Sequence, residues 1–248
     1  MKRTSVFFTA ILTAVLCFSG NALAYSGGTG DPNNPYQIAN VPDFNQLTLD
    51  PNNWNKSFIV TADINLTGMA FTQAPIAPDT NTSSGFQGTQ FTGIFDGNGH
   101  TISKLTITTS TRDYIGLFGN VGSGGQIRNL GVEDVNITGH YFVGGLVGWN
   151  YGSLTACHTT GSVTGAGSPY YIGGLVGVHS GSISNCHSSG TVAGISSSYI
   201  GGLIGRSVSG SLTTACYATG AVSGTDDVGG LVGGNDHVTL TACYATGS

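Results

Sequence analysis

The chain has 248 residues, of which only 8% are Asp, Glu, Lys or Arg, while 41 are glycine and 39% are apolar. That apolar share excludes a disordered chain, which needs low hydrophobicity, and a low-charge, Gly/Ser/Thr-rich composition carrying Val, Ile and Leu suits strands and tight turns. Seven basic residues face twelve acidic ones, too few cations to cluster against nucleic-acid phosphate or anionic lipid.

The first residues read as an export leader. Lys2 and Arg3 precede a mostly apolar run from Val6 to Phe18, and Ala22-Leu23-Ala24 puts small residues where a signal peptidase reads. The expected cut follows Ala24, so 1–24 is a signal peptide. The run is shorter than the ~20 residues a membrane span needs, and Leu16 before Cys17 does not suit a lipid anchor. No later stretch is apolar enough to span. Loss of Lys2 and Arg3 leaves five basic against twelve acidic residues, a net charge of −7. The expected location is exported, either extracellular or at the cell surface, with the periplasm open.

Residues 25–113 read as an N-terminal cap followed by the first coils. Pro42 to Leu47 suits a short helix with Phe44 and Leu47 on one face. Such a helix could cover an open first coil, whose bare strand edges would otherwise invite aggregation. Phe58 to Leu66 starts the strands. Thr67 to Gln90 is rich in Pro, Asn and Ser and is expected to be a long protruding loop. Phe91 to Ile102 reads as strand, tight turn, strand, and Leu105 and Ile107 then alternate with threonines.

From residue 114 to 248 the chain repeats. Gly144-Gly145-Leu146-Val147-Gly148 returns as Gly173–Gly177, Gly201–Gly205 and Gly229–Gly233, with a degenerate first copy at Ile115–Gly119. The leucines stand at 117, 146, 175, 203 and 231, in steps of 28 or 29. An aliphatic column follows at Ile127, Leu154, Ile183, Leu212 and Leu240, then a second column at Leu130, Cys157, Cys186, Cys216 and Cys243. Val163, Val192 and Val222 complete the fuller units, and Gly165, Gly194 and Gly224 close them. Each unit holds about three short extended runs, too few for a core of its own, so its apolar side must be buried by stacking. The expected fold is all-β, a right-handed parallel β-helix with 28–29-residue coils. A β-propeller needs longer units of four strands. The paired glycines would leave one face bare and permit unusual backbone angles. They do not read as a phosphate loop, because no helix follows them. The last unit stops at Ser248 before its valine and closing glycine. Either the chain is a fragment, or its open last coil self-associates or meets a partner.

These units resemble the GLUG-motif repeat family through Gly145-Leu146-Val147-Gly148, Gly174-Leu175-Val176-Gly177, Gly202-Leu203-Ile204-Gly205 and Gly230-Leu231-Val232-Gly233, and through Ala-Cys-Tyr-Ala-Thr-Gly at 215–220 and 242–247. The resemblance implies an exported bacterial β-helix, often adhesin-like. Similar repeats also stand beside the protease domain of IgA-cleaving metallopeptidases. That activity does not carry over, since no histidine here is followed by Glu and no His-Glu-x-x-His zinc motif exists.

The candidate chemistry is sparse. Cys157, Cys186, Cys216 and Cys243 share a column with Leu130, which reads as a buried apolar site. Disulfides between neighbouring coils stay open, while a one-sided ladder suits zinc poorly. His158 and His187 align with Tyr217 and Tyr244 as an outward aromatic row. His100 lies in a turn, and Asp96-Gly97-Asn98-Gly99 lacks the spacing of a calcium loop. The acid pairs Glu133-Asp134 and Asp226-Asp227, with Arg128 and Arg206 as the cations of the repeats, are the only material for a polysaccharide lyase or hydrolase. Neighbours on a strand point to opposite faces, so the paired acids need not cooperate. The outward positions Ser162, Thr191 and Ala221, and Thr164, Ala193 and Ser223, are too mixed for an ice-binding face. The reading assigns no catalytic, cofactor or metal residue. It expects a non-catalytic adhesion or binding module for a glycan or a host or cell-surface protein. The alternatives are a β-helical polysaccharide lyase or glycoside hydrolase, and a structural stalk.

Overall fold

The computed structural model describes residues 25–81, 85–167, 170–194 and 198–247; the expected leader, 1–24, lies outside them. The chain winds as a parallel β-helix whose strands line up in four parallel sheets. The first sheet stacks Tyr36–Ile38, Ser57–Val60, Ile94–Asp96, Gln126–Arg128, Ser153–Thr155, Ser182–Ser184, Leu212–Thr214 and Leu240–Thr241. The second runs along the strands that carry Gly131–Gly139 and His158–Gly165. The third holds Val143–Gly144, Tyr170–Gly173, Ser198–Gly201 and Val228–Gly229. The fourth holds Phe118–Val121, Val147–Asn150, Val176–His179, Ile204–Ser207 and Val232–Asn235. From Val143 onward each repeat coil therefore places strands in four sheets rather than three, because the Gly-Gly pair splits the first run at a corner.

Every register step joins residues of neighbouring coils, so inward positions form columns. Leu117, Leu146, Leu175 and Leu203 are buried, as are Leu130, Cys157, Cys186 and Cys216. Upstream the interior is wider and is filled by Phe58, Phe91, Phe95 and Phe118, with ring centroids 5.0–6.5 Å apart. Such apolar burial is worth about 2–3 kcal/mol per large side chain.

One aliphatic column departs from the sequence reading. Ile183 pairs with Thr213, not Leu212, and Thr213 pairs with Leu240. Leu212 is 54% exposed and Thr213 is 0% exposed. A one-residue slip turns every side chain of a strand to the other face, and the turn before Leu212 makes that slip.

The helix Val41–Thr48 forms over the first coil as expected. Asn40 caps it, its side chain accepting from the Asp43 amide at 2.9 Å, and Pro42 stands in the first turn, where no amide donor is needed. Phe44 and Leu47 are buried against the coil. Asp43 accepts from Ser26 N and Oγ and from Ala39 N, which ties the N-terminal segment to the helix.

The described residues of the stretch 67–90 form no strand, yet the stretch does not simply protrude. Ala74, Ile76 and Ala77 are buried, and Phe71 and Ile76 bridge in parallel to Ile107 and Phe118. This segment closes a side of an early coil before leaving toward Phe91.

The glycine reading needs revision as well. Gly144, Gly173 and Gly201 do not take left-handed angles; a Cβ on each would overlap the carbonyl oxygen three residues on, at Val147, Val176 and Ile204. The left-handed corners belong to other residues. Asn129, Ala156, Asn185, Ala215 and Ala242 precede the cysteine column with φ near 53°. Tyr114, Phe142, Tyr171 and Tyr199 form the other corner with φ between 55 and 63°.

Candidate functional site

Left-handed backbone costs an ordinary residue about 1–2 kcal/mol. It is retained here at a large aromatic residue in four successive coils, and strain of this kind persists only where packing enforces it. The four corner rings stack along the axis. Tyr114 and Phe142 are 4.7 Å apart, Phe142 and Tyr171 5.5 Å, and Tyr171 and Tyr199 5.3 Å. These spacings follow the separation of neighbouring strands, about 4.8 Å.

At its upstream end this ladder opens into a cleft of about 1110 Å³. Tyr114 and Phe142 supply one wall with Trp149 and Tyr151 of the next strands, and Phe86 packs edge-on to Tyr114 at 5.2 Å. Trp149 stacks on Tyr151 at 5.4 Å and lies 4.8 Å from Phe142. The lining also carries amides and hydroxyls, among them Asn52, Asn55, Gln90 and Thr92. Gln90 donates to Asn120 at 3.0 Å, which fixes both at the cleft. The cleft thus lies beside the 67–90 segment.

Among the described residues Asp113 is the only carboxylate that lines the cleft, and no Lys or Arg does. Its Oδ1 accepts from the Tyr141 amide at 3.3 Å and lies 3.0 Å from His140 Nδ1. Burial, then the charge of Asp79, then Tyr151 and Asp113 push the Tyr114 hydroxyl up to about 12. Asp79 is buried and holds the Gln87 amide at 2.8 Å. The arrangement can stack flat, partly apolar molecules and bind their hydroxyls, and it does not favour anions.

The residues weighed from sequence fall elsewhere. His158, His187, Tyr217 and Tyr244 do form a stacked row, with centroids 5.0, 4.6 and 5.1 Å apart. His158 Nε2 lies 3.0 Å from Glu133 Oε1, while Asp134 pairs with Lys104 at 2.9 Å. Glu133 and Asp134 sit in a bulge where two residues oppose Thr160 and are turned to different partners. Asp96 accepts from Arg128, Asn98 N and Asn129, so its oxygens serve the turn. His100 lies 3.2 Å from Asp63. Asp226 and Asp227 are exposed, and Arg206 pairs instead with Asp236 at 2.6 Å. Among the described residues no three of His, Cys, Asp and Glu converge on a metal-sized site. Cys157, Cys186, Cys216 and Cys243 are free thiols.

Two features went unread in the sequence. One is the corner ladder, although Phe142, Tyr171 and Tyr199 each stand two places before a glycine pair, and Tyr114 two places before Gly116 in the degenerate first unit. The other is a polar column, Asn150, His179, Ser207 and Asn235, in register across the fourth sheet, its first three members buried and Asn235 exposed in the last coil. Asn150 Oδ1 accepts from Gly152 N at 3.0 Å and Asn235 Oδ1 from Val238 N at 3.1 Å. This column satisfies the turns between sheets.

Comparison with known proteins agrees with the repeat. The family model of the GLUG motif matches residues 139–164 and 168–193, so the chain carries that motif. Halomucin of Haloquadratum walsbyi is 36% identical over 155 residues, 59% of this chain and 2% of that protein. A Gly-rich protein of Evansella cellulosilytica, provisionally named a membrane protein, is 34% identical over 142 residues, 52% of this chain and 15% of that protein. The chain therefore spans a small part of these relatives. In fold it resembles a crystal structure from Bacteroides ovatus, provisionally titled an immunoglobulin A1 protease. The TM-score is 0.69 at 24% identity, covering 90% of this chain and 69% of that one.

Proposed function

We propose that this GLUG-repeat chain is a non-catalytic module of an exported surface protein, and that it binds a glycan in the aromatic cleft. The observation that carries the reading is the cleft itself, lined by Tyr114, Phe142, Trp149 and Tyr151 together with the amide side chains of Asn52, Asn55, Gln90 and Asn120. Aromatic rings offer large rigid contact area to the apolar faces of sugars, and amides bond their hydroxyls. Surface and membrane names among the relatives support the exported setting, and no helix among the described residues is long and apolar enough to cross a membrane. A glycosidase would need two placed carboxylates, whereas among the described residues Asp113 is the one carboxylate that lines the cleft. A lyase would need a cation beside a uronate, and the cleft offers none.

The test is retention of the purified chain on immobilised polysaccharides, compared with Tyr151→Ala and Trp149→Ala. Tyr151 is partly exposed, so its removal should spare the fold. Loss of either ring should weaken binding about tenfold, as for a buried aromatic anchor. Retention that ignores both substitutions, or no retention on any glycan, would reject the reading.

A further inference from the structure

We propose that the glycan held in this cleft carries a protonated amine, as an amino sugar does; the inference rests on the glycan reading above. The first argument is the charge of the site. Ring faces are negative; Tyr114, Tyr141, Phe142, Trp149 and Tyr151 line the cleft together with Asp113, and the charge of buried Asp79 acts on the Tyr114 hydroxyl. Asp113 uses one oxygen, Oδ1, for both His140 and the Tyr141 amide. That leaves Oδ2 free to accept from a ligand.

The second argument is what the same ladder holds two coils on. In the fourth sheet Asn120, Trp149, Val178 and Arg206 stand in register from coil to coil. At Arg206 the protein supplies its own cation, whose guanidinium carbon lies 5.4 Å from the Tyr171 centroid and 5.5 Å from that of Tyr199. Asp236 pairs with it and Tyr171 Oη accepts from it at 3.0 Å. The ladder thus accommodates a cation between aromatic rings and a carboxylate. At the cleft the rings and a carboxylate recur, but the column residues are Asn120 and Trp149. No Lys or Arg among the described residues takes that place, the His140 imidazole being what stands beside Asp113, and a ligand ammonium would complete the set through cation–π and charge-assisted contacts.

The experiment is calorimetric titration of the whole chain with two matched oligosaccharides, one of free glucosamine and one of N-acetylglucosamine, at a pH where the amine is protonated. The free-amine oligomer should bind roughly tenfold tighter, and salt should shrink the ratio. Asp113→Asn should bring the ratio close to one. Equal affinities in the native chain, a ratio unchanged in Asp113→Asn, or tighter binding of a uronate oligomer would overturn the amine inference while leaving a glycan site. Binding of no oligomer would reject the glycan reading itself.

Discussion

Inside the solenoid the side-chain amide of Asn150 meets Nδ1 of His179, one coil further on, at 3.2 Å. His179 Nε2 lies 3.2 Å from the Leu212 carbonyl, and the residue is 0% exposed. With Nε2–H donating and Nδ1 accepting, the imidazole is held neutral. Burial brings its pKa down from 6.5 to about 4.

This ring should therefore make stability depend on pH. Above about 6.5 both folded and unfolded chains are neutral at His179, and its contribution is complete. As pH falls toward about 4, the unfolded chain takes a proton that the folded chain refuses, so stability drops by about 3 kcal/mol. Urea midpoints of the native chain and His179→Gln, measured across that window, check this. Parallel pH slopes for the two would sink the idea.

Glycines that look alike in sequence should differ in tolerance. A Cβ at Gly201 would overlap the Ile204 carbonyl oxygen, a backbone atom that cannot turn aside, while Gly210, with φ +89°, has nothing within 4 Å of the added carbon. Gly201→Ala should cost about 3 kcal/mol or more through overpacking, and Gly210→Ala only about 1 kcal/mol of left-handed strain. Denaturant unfolding of the two variants decides it; equal losses would refute the steric account.

Thr213 offers a stabilising change. Its Oγ1 is buried without a hydrogen-bond partner in a column that holds Ile183 and Leu240. Thr213→Val keeps the shape and removes the orphan hydroxyl, and should raise stability by about 1 kcal/mol. Leu212→Ser, on the exposed side, should change it by no more than about 0.5 kcal/mol. The reverse order would show that Leu212 is the core residue.

The thiols should be inert in the folded chain and distinguishable. Hydrogen bonding to Cys157, with burial behind it, pushes the Cys186 thiol up, and hydrogen bonding to Cys186 and burial do the same for Cys216. Cys243 is only partly buried. Titration with a disulfide reagent should modify Cys243 first and the other three only on unfolding, because the thiolate is the reactive form. Rapid reaction of all four in native buffer would contradict this.

Much of the fold was legible because a coil cannot bury its apolar side alone. The period of 28 or 29, the leucine column and the Leu130–Cys243 column all follow from that need. The helix over the first coil was readable from Phe44 and Leu47 for the same reason. The slip at Leu212 was not, because Leu-Thr-Thr permits two registers and only the preceding turn selects one. The His/Tyr row was visible as a column, whereas the cleft draws Phe86, Asp113, Asn120 and Trp149 from separate coils and segments.

By itself, then, the chain's repeat determined the parallel β-helix, its coil length and its inward columns, since stacking enforces the same residue type at each equivalent place. Only the tertiary structure decided why the paired glycines are there, which residues take the left-handed corners, and where the aromatic groups gather. These depend on how closely one coil's carbonyls approach the next and on where the 67–90 segment leaves the helix. Such distances arise between parts of the chain far apart in sequence, and no local pattern encodes them.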